Sequence, residues 1–92
     1  MICFHNFDFV NHLFARAKEI SDSQEIPFAY FLPLIKETTA KIEILEPKLA
    51  QTGPAIRNDE RVLKAHEDLI TDEEQLKIYK IMNESIKKMY EL

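Results

Sequence analysis

Four polar residues stand where chemistry is possible: Asn6, Arg57, Asp59 and His66. Histidine titrates near neutrality, so it serves as an acid, a base or an orienting donor. His66 sits among Val62, Leu63, Leu69 and Ile70 at helical spacing. It reads either as a core histidine donating to a carbonyl or as a group that works on a substrate. Asp59 shares that face two turns earlier, and a separation of ~10.5 Å along the axis calls for an intermediary between the two. Asn6 falls in an apolar arc beside Leu13 and Ala17. A buried amide costs about 1–3 kcal/mol unless it is bonded. Asn6 therefore reads as a satisfied bridge between helices or as a polar group facing a cleft. Arg57 lies in the loop QTGPAIR. Its guanidinium suits a substrate carboxylate or a cofactor phosphate. The plainer readings are a solvated arginine or one paired with Asp59.

Other combinations are weaker. His5, Asp8 and His12 share a polar face, but the two histidines lie ~10.5 Å apart on a straight helix, too far for one ion. No metal is expected. Tyr30, Tyr79 and Tyr90 read as packing residues, and Cys3 as a small hydrophobe. Gly53 is the single glycine. A dinucleotide or P-loop cradle needs several, so that the backbone can approach phosphates closely. No cofactor is expected on this chain alone; a nucleotide would be held by another domain.

The elements that position these residues read as helices, because apolar residues recur at three- and four-residue spacing. The first runs from about Ile2 to Ile20, with Phe7, Phe9, Val10, Leu13, Phe14, Ala17 and Ile20 on a wide arc. The second starts near Pro27 and ends near Leu45, before Pro47. Pro33 is predicted to kink it or to split off its first turn, since the ring blocks the bond back to residue 29. Residues 48–57 read as a loop. The third helix follows Asn58 as cap and carries Val62, Leu63, Leu69 and Ile70 inward. The fourth opens on a Thr71–Glu74 capping box and carries Leu76, Tyr79, Met82, Ile86, Met89 and Tyr90.

The 92 residues make one domain. A chain of this size buries only roughly 60–65% of its unfolded surface. With 46% hydrophobic and 30% charged residues, the composition is that of a folded, soluble protein. The net charge of −4 carries no basic block, which argues against nucleic acid. No apolar run reaches membrane-spanning length. A lone cysteine forms no internal disulfide and suits the cytoplasm. Met1 leads directly into an aromatic-rich segment without a basic region, which reads as a start placed inside a longer protein.

The stretch TGPAIRNDERVLKAHEDL, Thr52 to Leu69, resembles a motif of a family of two-domain, Rossmann-like NADP oxidoreductases with no established substrate. The similarity rests on Gly53-Pro54, Arg57, Asp59 and His66. It extends upstream to Asn6-Phe7, Asn11-His12 and PFAYFLPLIKETTAKI, and downstream to Tyr79 and Ser85-Ile86. Asn58 departs from the glycine expected there. The resemblance implies the C-terminal half of such a protein: an all-α, four-helix domain of the 6-phosphogluconate dehydrogenase C-terminal type. It further implies an N-terminal Rossmann-like domain, absent here, that binds NADP or NAD. Asn6, Arg57, Asp59 and His66 become candidates for the substrate cleft. The apolar arcs exceed what one small bundle covers, and the resemblance points to a homodimer led by Phe9, Leu13, Ile78 and Ile81. The rival reading is a non-catalytic helical dimerisation or sensor module.

Overall fold

The computed structural model describes residues 4–92. The expectations for Cys3 and for a helix starting at Ile2 lie outside the described residues. Among the described residues the chain is all-helical, with no strand. It forms α1 (Phe4–Ser23), a 3-10 turn (Phe28–Phe31), α2 (Leu32–Ile44), the single turn α3 (Pro47–Ala50), α4 (Glu60–Leu69) and α5 (Glu73–Met89). The four helices read from spacing are α1, α2, α4 and α5. Pro33 splits off the first turn of the second helix: the 3-10 turn ends at Phe31 and α2 begins at Leu32. Part of the stretch read as a loop is helical, because Pro47 occupies the first position of α3 with its φ already set.

The chain divides into two compact units, one ending at Ile44 and the other spanning Leu45–Leu92. In the first, the 3-10 turn packs on α1 and on α2. In the second, α4 packs on α5 across a three-residue connection. Lys87 bonds Glu60, and His66 bonds Tyr79. As the α4 position rises by six, its α5 partner falls by eight, so the two helices run antiparallel.

Caps fall one residue beyond the predicted positions. Asp59, not Asn58, caps α4 by accepting from the Val62 N–H at 3.2 Å. Asn58 instead takes a left-handed backbone, φ 53°. Asp72, not Thr71, caps α5 by accepting from the Gln75 N–H at 2.8 Å. Both long helices end in the same motif. Ile26 N–H bonds Ser21 C=O and Glu25 N–H bonds Asp22 C=O after α1. Leu92 N–H bonds Lys87 C=O and Glu91 N–H bonds Lys88 C=O after α5. This is the Schellman pattern, which favours glycine at the left-handed position. Here that position holds Glu25, φ 59°, and Glu91, φ 58°.

Burial departs most from the periodicity. Among the described residues only Ala55, Leu63 and Ser21 are buried. Ser21 is satisfied by the Lys18 carbonyl. Phe7 and Phe9 on α1 are 66% and 60% exposed, and Ile81 on α5 is 64% exposed. Leu69, expected inside, is 78% exposed at the last position of α4. The accessible surface is 7711 Å² for 10.8 kDa. A folded monomer of that mass exposes roughly 5,500 Å², and two separate monomers of half the mass roughly 6,700 Å². The exposed Phe7 and Phe9 in the first unit and Ile81 in the second are apolar surface that each unit's own residues leave uncovered.

Candidate functional site

The segment before α4 carries three of the four sequence candidates. Gly53 has φ 101°, a conformation that side chains resist, although a methyl group there would meet nothing within 4 Å. The chain then turns around Ala55, which is 2% exposed. Asn58 N–H bonds Ala55 C=O at 3.0 Å and Asp59 N–H bonds Pro54 C=O at 2.9 Å. These bonds hold Arg57 on the outside of the turn and Asp59 at the helix start.

Arg57 is exposed and has no hydrogen-bond or ion-pair partner among the described residues; it does not pair with Asp59. The Asp59 carboxylate, partly buried, is engaged as a cap. His66 is exposed, which corrects the core reading. The face of α4 that points inward is led by Leu63, at 5% exposure, and His66 flanks it. The His66 Nδ1 lies 2.8 Å from the Tyr79 hydroxyl, with ring centroids 5.9 Å apart and planes 59° to each other. Asn6 is exposed on α1, so the bridge between helices expected of a buried amide is not formed. Asn6 and the other three candidates belong to different units.

Sequence reasoning passed over Tyr79 as a packing residue. The available signal was hairpin register: a three-residue connection makes α4 and α5 neighbours and brings residues flanking it together. Beside the pair, α4 and α5 form an open groove of about 280 Å³ lined by Glu60, Leu63, Glu67, Lys80, Asn83, Glu84 and Lys87. Lys87 bonds Glu60, and two lysines against three glutamates leave the groove close to neutral. No group of three or more metal-ligating side chains occurs among the described residues. No helix among them is long and apolar enough to cross a membrane.

Residues 2–86 match the family described as a domain of unknown function, DUF2520. The chain belongs to this family. It is also similar to a crystal structure from Bacteroides fragilis described as a "putative NADP oxidoreductase". The two share 41% sequence identity and superpose with a TM-score of 0.87 over 92% of this chain. The match spans 33% of the Bacteroides chain, so this chain has about a third of that protein's length. No curated protein matches the chain. The helical resemblance read from Thr52–Leu69 is thereby borne out, in family and in fold.

Proposed function

We propose that the chain is the substrate-cleft and dimerisation domain of an NAD(P)-dependent oxidoreductase, with the cofactor held by a Rossmann-like domain joined to its N-terminal side. The observation that carries this reading is the 41% identity to the Bacteroides protein over 92% of the chain. The chemistry of the residues agrees with a division of labour. A single glycine leaves no phosphate cradle, so hydride transfer belongs to a cofactor bound elsewhere. The second unit supplies polar groups to the cleft, Arg57 for an anionic group and His66 as a donor; Asn6, in the first unit, is a separate candidate. Asp59 shapes the cleft through the start of α4 rather than by touching a ligand, since its carboxylate already serves the helix.

The uncovered apolar surface supports a second copy as partner. Identical chains close such a patch by two-fold symmetry. Phe9 and Leu13 on α1 of the first unit, and separately Ile78 and Ile81 on α5 of the second, are the residues we place at contacts with a second copy.

Reading the gene and titrating the product test the proposal. Upstream sequence of roughly 150 residues with a glycine-rich fingerprint after a strand is expected. The whole protein should then bind NADPH at micromolar levels. Whole protein that fails to bind either NADPH or NADH would favour the rival reading, a helical dimerisation or sensor module.

A further inference from the structure

The His66–Tyr79 bond joins two helices through the one pair of titratable rings in contact among the described residues. Its direction follows from the chemistry of the partners. A neutral imidazole has one nitrogen that donates and one that accepts. The phenol O–H is an acidic donor, whereas the phenol oxygen is a poor base beside an imidazole nitrogen. The favoured bond therefore runs from the Tyr79 hydroxyl to Nδ1. Accepting at Nδ1 leaves the ring proton on Nε2. Nε2 has no hydrogen-bond partner among the described residues, and His66 is exposed while Tyr79 is partly buried.

We propose that Tyr79 is a positioning residue. It holds His66 in the Nε2–H tautomer and turns that N–H outward as a donor to a carbonyl or carboxylate oxygen of a ligand. Only the identity of the ligand rests on the oxidoreductase reading; the tautomer and orientation rest on the pair itself. An exposed histidine alone samples several rotamers and both tautomers, so it would meet a ligand in many orientations. A partner anchored on the neighbouring helix removes that freedom before binding.

Nitrogen NMR of the His66 ring in the 92-residue chain, at a pH where the imidazole is neutral, reads the tautomer directly. The wild type should show a pyridine-type Nδ1 and a pyrrole-type Nε2. Tyr79→Phe, with its helical circular dichroism unchanged, should move both nitrogens toward averaged values. A second readout is acylation by diethyl pyrocarbonate, which needs a free ring lone pair. His66 should react more slowly than His12, and Tyr79→Phe should raise its rate about threefold or more. A pyrrole-type Nδ1 in the wild type, or a Tyr79→Phe ring identical to the wild type in both measurements, would overturn the proposal. Neither measurement involves NADPH, so its failure is separable from failure of the oxidoreductase reading.

Discussion

Left-handed backbone at residues other than glycine gives the sharpest predictions at the scale of single side chains. The conformation costs an ordinary residue about 1–2 kcal/mol, and asparagine less. Replacing Glu25 by glycine should raise stability by about 1 kcal/mol, read as a higher melting temperature, because its Schellman bonds involve only the backbone. Asn58→Gly should stay within about 0.5 kcal/mol of the wild type, and Asn58→Ala should lose about 1 kcal/mol. The caps make a second pair: Asp72→Ala should cost about 1 kcal/mol and Thr71→Ala much less. Equal losses at 71 and 72 would restore the capping box. Arg57→Ala should leave the melting temperature unchanged, because the side chain has no partner to lose, and should weaken ligand binding by the whole protein. Lys64 shows a further local effect. The Asp68 carboxylate, bonded at 2.6 Å, raises its pKa. A raised lysine pKa contributes stability that is complete below its unfolded value and is lost as pH climbs through the folded one. Solvent exposure of both partners and salt screening keep that contribution small.

At the scale of elements, the sequence made the helices legible and left their ends and their burial obscure. Spacing marked all four longer helices because each carries apolar residues on one side. Pro33 and Pro47 marked boundaries because a missing N–H and a fixed φ act locally, whatever surrounds them. The caps were misplaced by one residue because Asn58 and Asp59, like Thr71 and Asp72, are both competent. The choice is made by turn bonds such as Asp59 N–H to Pro54 C=O, which spacing does not display. The core reading of His66 fails for a similar reason. It lies beside the apolar stripe of α4, and whether a flanking residue faces in or out depends on where α5 packs. Tyr79 escaped notice because its partner is thirteen residues away on another helix. On α1, the phenylalanines mark a surface that needs covering, and periodicity alone does not say by what. Phe9→Glu should therefore weaken association without loss of helical circular dichroism. Loss of helix at a concentration where the wild type is folded would instead place Phe9 inside a unit.

For the whole molecule, the excess of accessible surface over that of compact monomers is the governing quantity. Association of two copies, as proposed above, would couple to stability, since whatever binds the folded form alone raises its apparent stability by mass action. The melting temperature of the chain should rise with protein concentration, and light scattering at tens of micromolar should give twice the formula mass. A concentration-independent monomer would assign the apolar surface to a neighbouring domain of the same polypeptide. The chain alone should not bind NADPH at low-micromolar levels, as calorimetry would register.

Tyr90 caps the C-terminal end of α5 and reaches back to the α3 turn. The Tyr90 hydroxyl donates to the Lys48 carbonyl, and the Lys48 ammonium lies 5.6 Å from the centroid of the same ring. Lys48–Leu49 is a peptide bond that trypsin recognises, and the two groups a protease must seize are those that Tyr90 occupies: the scissile carbonyl and the side-chain cation. Tyr90 thus acts as a guard on the α3 turn, and cutting there requires local opening that detaches one ring. Limited trypsinolysis followed by mass spectrometry should show Lys48 cleaved more slowly than Arg57, which stands exposed and unpartnered in its turn. Tyr90→Ala should raise the rate at Lys48 and narrow that difference. Nicking at Lys48 that proceeds at the same rate in both proteins would mean that the α3 turn opens without disturbing Tyr90.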